Sequence, residues 1–256
     1  MSIAGSVHHI KRRVDAYLWG DKSQTVSGLR ELLNKRFFPV GKVIIVGGLV
    51  RDLARAGVGG FKSDIDLILD APSDAVEHLA KDLDGKRNRF GGFASYHRNL
   101  KIDFWAFENT WAHKAGHVRA FSCTDLLRST FFDVDAVLYD LNEREIHAIR
   151  GYVSLLHART LDVNLMPNPS VRGNALRAVR RLLGWGLRPK PRLREFLECA
   201  IDDETREYIV ENEYRLYQNS YADAYRSTDE LLRALLNPAA RQVRFSGQSQ
   251  QYHLPW

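Results

Sequence analysis

The residues best suited to chemistry lie between Val43 and Leu69, where the chain reads VIIVGGLVRDLARAGVGGFKSDIDLIL. Asp64 and Asp66 are one residue apart in a segment that alternates polar with apolar, so a strand there turns both carboxylates to one face. Together they can share a hard, oxygen-seeking cation such as Mg2+. A third carboxylate, Asp103, stands in Lys101-Ile102-Asp103-Phe104-Trp105 on another expected strand and completes an acidic cluster. Three carboxylates around two metal ions about 4 Å apart form the arrangement that activates an attacking oxygen and neutralises a leaving pyrophosphate. Upstream, Gly47 and Gly48 end a β-branched run ahead of a helix. That places backbone N–H groups and the positive helix end above the turn, where the missing Cβ atoms let a phosphate approach. A bare Asp-x-Asp also suits a solvated strand edge, and a bare Gly-Gly a simple strand end; their combination is what points to nucleotide chemistry.

These residues need a scaffold, and the pattern supplies one. Val14, Tyr17 and Leu18, then Leu29, Leu32, Leu33 and Phe37, predict two lead-in helices over residues 1–39. Val43 to Val46 reads as a buried strand, Val50 to Ala56 as a helix, Asp64 to Leu69 as a strand and Ser73 to Leu83 as a helix. Two more strands follow over Arg89 to Ala94 and Leu100 to Phe107, then a strand over Phe131 to Tyr139 with Glu145 to Ile149 as its partner. Residues 40–150 thus form a mixed α/β head. Helical spacing dominates 151–236, broken at Pro167-Asn168-Pro169, and 237–256 reads as a tail ending in Leu254-Pro255-Trp256. The fold class is α+β.

The 256 residues are 45% hydrophobic and 27% charged, ordinary globular values that exclude a disordered or fibrous chain. Lys plus Arg exceed Asp plus Glu by 37 − 31, a net +6 compatible with a polyanionic partner. Two distant cysteines, Cys123 and Cys199, indicate neither a disulfide framework nor a Cys-x-x-Cys zinc site. His113 and His117 have the i,i+4 spacing of a zinc pair but lack the intervening Glu, and read as surface residues. Trp105, Trp111 and the tyrosines at 208, 214, 217, 221 and 225 read as packing residues. The N-terminus has no apolar leader core, and no window reaches the roughly 18 apolar residues of a membrane span. The expectation is a cytoplasmic protein with no membrane partner.

GGLVRD followed by SDIDL resembles the head-domain signature of class II CCA-adding enzymes and bacterial poly(A) polymerases, members of the DNA polymerase β nucleotidyltransferase superfamily. The resemblance covers roughly residues 40 to 105 and implies a mixed twisted sheet flanked by helices, followed by a helical neck. By the same resemblance, Gly47 and Gly48 hold the triphosphate, Asp64 and Asp66 bind metal, Asp103 supplies the third acid, and Arg51 and Asp52 match the motif's arginine and aspartate. Phe131 to Ala136 is similar in rhythm to a stretch that in the family carries paired arginines; here Arg128 stands nearby to replace their charge. Leu176-Arg177-Ala178-Val179-Arg180 resembles the neck-helix arginine motif, which places Arg177 and Arg180 on the nucleotide. Ser170, Val171 and Asn174 stand in the neighbourhood of the family's base-selecting residues, so the resemblance does not assign the base added.

The function these readings imply is template-independent transfer of a nucleoside monophosphate from an NTP to an RNA 3′ end, plausibly of transfer RNA. Two Mg2+ ions would serve it, with Mn2+ as a substitute. Two alternatives stand beside it: transfer to a protein or small-molecule acceptor, which the short helical region favours, and a catalytically silent nucleotide- or RNA-binding module.

Overall fold

The computed structural model describes residues 2–61, 63–88, 90–98, 100–119 and 122–241; residues 242–256 of the tail expected over 237–256, and the start of the strand expected at Arg89, lie outside them. The chain divides into two compact units, one holding residues up to 130 with 135–153, the other 131–134 with 154 onward.

The first unit is built on a seven-stranded mixed sheet. In chain order its elements are α1 (Val7–Asp15), α2 (Gln24–Leu32), β1 (Lys42–Val46), α3 (Gly48–Ala56), β2 (Ile65–Asp70) and α4 (Ser73–Asp82). There follow β3 (Lys86–Arg87), β4 (Phe93–His97), β5 (Leu100–Ala106), the short α5 (Trp111–Lys114), a 3-10 helix at Cys123–Arg128, β6 (Val137–Asp140) and β7 (Glu145–Ala148). The sheet order is β3-β4-β5-β2-β1-β6-β7, with β2 and β5 parallel and every other pair antiparallel.

Alternation along these strands separates two faces. Val43, Ile45, Leu67, Leu69, Phe104 and Tyr139 are all fully buried; Phe37 packs edge-on to Phe104, and α3 lies against β1, β2 and β6. Tyr139 donates its hydroxyl to Asp15 at 2.6 Å and accepts the Trp19 indole N–H at 3.2 Å, tying the sheet to the end of α1. Tyr139→Phe is expected to cost about 1 kcal/mol, the usual net worth of such hydrogen bonds, read as a lower urea midpoint at unchanged slope. On the opposite face Ile44, Ile68 and Leu138 meet Leu126 and Leu127 of the 3-10 helix, with Trp105 and Cys123 packed alongside. Trp105 is thus a packing residue, as its apolar neighbours suggested.

The expected strands and helices from Val43 to Leu83 form within two residues of their predicted limits. Two others shift. The strand expected at Arg89 to Ala94 begins only at Phe93, because Asn88 Oδ1 accepts the N–H groups of Phe90 and Gly92 and folds the chain into a turn with Gly91 at φ +83°. The strand expected from Phe131 begins at Val137, because residues 131–133 instead pair with residues of the second unit.

That second unit contains β8 (Thr160–Leu161), α7 (Val171–Val179), β9 (Arg188–Pro189), α8 (Pro191–Ala200), α9 (Asp203–Tyr217) and α10 (Thr228–Leu236), while α6 (Tyr152–Ala158) bridges the division. Phe132 and Val163 form an isolated β-bridge, Asp133 N–H donates to Asp162 O at 3.1 Å, and Asp133 Oδ1 accepts Asp162 N–H at 3.0 Å. Burial, with the nearby Asp162 charge, pushes the Asp133 carboxyl up to about 6, against the pull of the Asp162 N–H and Lys190. An acid whose folded value exceeds its ordinary 3.8 carries no penalty below about pH 4 and its full penalty above about pH 6. Asp133→Asn is therefore expected to stabilise the protein by about 2 kcal/mol at pH 8 and not at pH 4, measured by urea unfolding at the two pH values.

Candidate active site

The turn from β1 into α3 is set by its two glycines. Gly47 caps α3 at φ +63°, a left-handed conformation that favours glycine, and a Cβ there would lie 3.8 Å from Asp66 Oδ2. A Cβ on Gly48 would collide with the Ser63 hydroxyl. The Ser63 Oγ is itself buried with no hydrogen-bond partner among the described residues. The first turn of α3 and the start of β2 are thus in close approach, which puts the positive end of the helix next to Asp66.

Sheet register then brings the carboxylates together. Val46 pairs with Asp66 across β1 and β2, and Asp66 pairs with Asp103 across β2 and β5, so the two aspartates sit side by side on one face. Asp64 reaches the same place through a residue the sequence reading passed over. Lys101, two before Asp103 on β5 and therefore on its face, donates to Asp103 Oδ2 at 2.6 Å and to Asp64 Oδ2 at 2.9 Å. Lys101 and Asp103 are both buried. The i,i+2 spacing of Lys101 and Asp103 was the available signal, but a lysine beside an aspartate on a strand is common on surfaces and did not stand out.

The electrostatics are strained toward cation binding. Asp66 is partly buried, and loss of solvent together with the neighbouring Asp103 and Asp64 charges pushes its carboxyl up to about 8 against the opposing charges of Lys101 and Arg51. Burial likewise raises Asp103, with Lys101 and the Asn88 amide pulling it back. Burial works against the Lys101 ammonium, yet its hydrogen bonds to Asp103 and Asp64 more than offset this and raise its pKa. Among the described residues, the carboxylates of Asp64 and Asp103 meet the Lys101 ammonium directly, with the Arg51 guanidinium close enough to act on Asp66. The cluster's all-oxygen donor set is the one that Mg2+ or Mn2+ takes.

Arg51, on the first turns of α3, holds Asp52 through Nε at 2.9 Å and Nη2 at 3.1 Å, and Asp135 through Nη1 at 2.8 Å. This two-pronged pairing is buried and fixes the helix against the segment before β6. Arg128 ends the 3-10 helix, largely exposed, and pairs with Asp125. Arg177 and Arg180 belong to the second unit, where Arg177 donates to Asn174 and Arg180 to Glu213 at 3.2 Å and Asn219 Oδ1 at 2.7 Å. The structure therefore joins Asp64 and Asp103 through Lys101 and sets Asp66 beside Asp103, with Gly47 next to Asp66 and Arg51 close enough to influence it. Of the two histidines, His113 lies on α5, whereas His117 lies beyond its end at Lys114 and packs against Trp111 with the rings tilted by 43°.

A mixed sheet with helices arranged this way occurs in known structures. The Thermotoga maritima CCA-adding enzyme complexed with tRNA superposes on 94% of this chain and 53% of its own, with TM-score 0.53 at 20% identity. The chain has the fold of the CCA-adding enzymes. A CCA-adding enzyme in complex with CTP gives TM-score 0.55 at 21% identity over 88% of this chain and 54% of that one. The Bacillus stearothermophilus enzyme in complex with CTP gives 0.50 at 16% over 85% and 51%. The chain spans about half the length of these CCA-adding enzymes. No protein-family model matches the sequence, and no curated protein matches it either. Among the described residues, no helix is long and apolar enough to cross a membrane.

Proposed function

We propose that this chain is a nucleotidyltransferase that moves a nucleoside monophosphate from an NTP to the 3′ hydroxyl of an RNA and releases pyrophosphate. The observation that carries the reading is the register-matched pair Asp66 and Asp103, with Asp64 tied to Asp103 through Lys101 and Asp66 set against the glycine turn of α3. The fold shared with the CCA-adding enzymes supports it.

Asp64, Asp66 and Asp103 would hold the divalent ions. Bound there, the ions would supply Lewis-acid activation of the acceptor oxygen and neutralise the pyrophosphate charge. The chain's own residues do the rest. Gly47 and Gly48 open the backbone at the start of α3 so that its N–H groups can meet phosphate oxygens. Asp103, its carboxyl raised by burial, takes up or orients the proton of the acceptor hydroxyl while the oxygen bonds to the α-phosphorus. The bond from the α-phosphorus to the bridging oxygen breaks, and the electron pair leaves with pyrophosphate. Lys101 keeps Asp64 and Asp103 apart yet together before substrate arrives, a preorganising role that spares reorganisation at the moment of reaction. Arg128, Arg177 and Arg180 are proposed phosphate or base contacts, as the motif resemblance implies.

The test is incubation of the full chain with each α-phosphate-labelled NTP, Mg2+ and total RNA, with Asp64→Ala/Asp66→Ala as control. Labelled RNA made only by the wild type supports the proposal and names the base. Label on protein or on small molecules, with none on RNA, moves the acceptor to that class, and no label in any fraction leaves the silent binding module as the reading.

A further inference from the structure

The face of the sheet that carries the carboxylates continues past them. Register places Lys42, Ile44 and Val46 of β1, Asp66 and Ile68 of β2, and Leu138 and Asp140 of β6 on that one face, with His147 of β7 opposite Leu138. At one end stands the Asp64–Asp66–Asp103 cluster. The apolar group of Ile44, Ile68, Leu126, Leu127 and Leu138 fills the middle. At the far end Cys123, Asp140 and His147 converge: a thiol sulfur, a carboxylate oxygen and a ring nitrogen all lie within 4.8 Å of one another.

We propose that Cys123, Asp140 and His147 form a binding site for a borderline divalent cation, best matched by Zn2+, distinct from the carboxylate cluster. Three different elements deliver the donors: the 3-10 helix, β6 and β7. Asp140 is fully buried and its Oδ1 is held by the N–H groups of Asn142 and Glu143, both at 3.0 Å, so the carboxylate cannot turn away. Its buried Oδ2 faces the Lys42 ammonium at 2.7 Å. A cation thus already occupies the carboxylate's open side, on a side chain more than a third exposed that can swing into solvent when a metal takes its place. Sulfur, imidazole and carboxylate with a fourth position left for water make a Zn2+ set, whereas Mg2+ prefers oxygen alone. One face would then carry a hard site and a borderline site separated by apolar side chains. Binding releases the Cys123 thiol proton to solvent and fastens the 3-10 helix, with Arg128 at its end, to the β6–β7 hairpin.

The test uses tag-free, metal-stripped full chain titrated with Co2+, a spectroscopic substitute for Zn2+, and does not depend on the proposed activity. The expected result is a thiolate-to-cobalt charge-transfer band that saturates, is displaced by Zn2+, and disappears in Cys123→Ser. It should survive in Cys199→Ser and in Asp64→Ala/Asp66→Ala. His147→Ala should weaken Co2+ binding by roughly tenfold or more, and Lys42→Met should tighten it by roughly fivefold, since the competing ion pair is gone. Because Cys123→Ser removes a packed side chain, a second measurement uses wild type alone: Zn2+ should slow alkylation of Cys123 but not of Cys199, read by peptide mass spectrometry. Absence of the thiolate band, a band that persists in Cys123→Ser, or equal alkylation with and without Zn2+ overturns the proposal.

Discussion

Asp66→Asn is expected to reduce nucleotidyl transfer by at least about 10³-fold while making the metal-free protein more stable. The two effects share one cause. Asp66 is partly buried, level with Asp103 across the strands and close enough to Asp64 to feel its charge, and its carboxyl is pushed up to about 8. Its folded value therefore lies far above its ordinary 3.8, so the group carries no penalty below about pH 4 and its full penalty above about pH 8. The neutral amide keeps the shape and removes the repulsion. Urea unfolding in chelator should show the variant ahead by about 2 kcal/mol or more at pH 8.5 and level with wild type at pH 4. Adding Mg2+ should then stabilise the wild type and not the variant, reversing their order. A structural strand-edge aspartate would give neither the reversal nor the loss of transfer, and a silent module would show the reversal without any transfer to lose.

Arg180→Met is expected to destabilise the second unit by about 3 kcal/mol, in the range for removing one partner of a buried ion pair. Glu213 is fully buried; its Oε2 accepts Ser220 Oγ at 2.8 Å and the N–H groups of Tyr221 and Ala222 at 2.9 and 3.0 Å, and its Oε1 accepts Arg180 Nη1 at 3.2 Å. The guanidinium is stacked against Tyr217 at 4.0 Å and Tyr221 at 4.5 Å. Burial already raises the Glu213 carboxyl, with Arg180 and its other hydrogen-bond donors holding it down. Losing Arg180 raises it further, so the variant's deficit should grow as pH rises from 4 to 8. Adding Glu213→Gln should recover part of the loss, because no buried charge is then left alone. The measurement is urea unfolding of the single and double variants. A residue serving only as a nucleotide contact would leave the unfolding midpoint where it was and raise KM for the NTP instead.

The contrast between these two residues shows what could be read in advance. The Asp64–Asp66 pair and the Gly47–Gly48 turn are local: strand alternation and the φ demanded by a tight turn are written in consecutive residues. Arg180 was picked out by the resemblance of its motif to a nucleotide-contacting helix. Its ties to Glu213, Asn219, Tyr217 and Tyr221 come from residues more than 30 positions away, which no local pattern announces. The two misplaced strands have the same origin. Asn88 closed one into a turn through its side chain, and the backbone of Asp162 drew Asp133 out of the other.

By itself, then, the sequence determined the α+β class, the order of strands and helices from Val43 to Leu83 and the glycine turn at Gly47, because side-chain period and turn chemistry act over a few residues. Tertiary structure alone decided that β5 lies parallel beside β2 with Asp103 level with Asp66, that Lys101 bridges Asp103 to Asp64, that Arg51 is gripped by Asp52 and Asp135, and that Cys123, Asp140 and His147 meet at the far end of the same face. Those are matters of strand order and lateral register, fixed by how whole elements bury their apolar faces together, and that choice is made only when the chain packs.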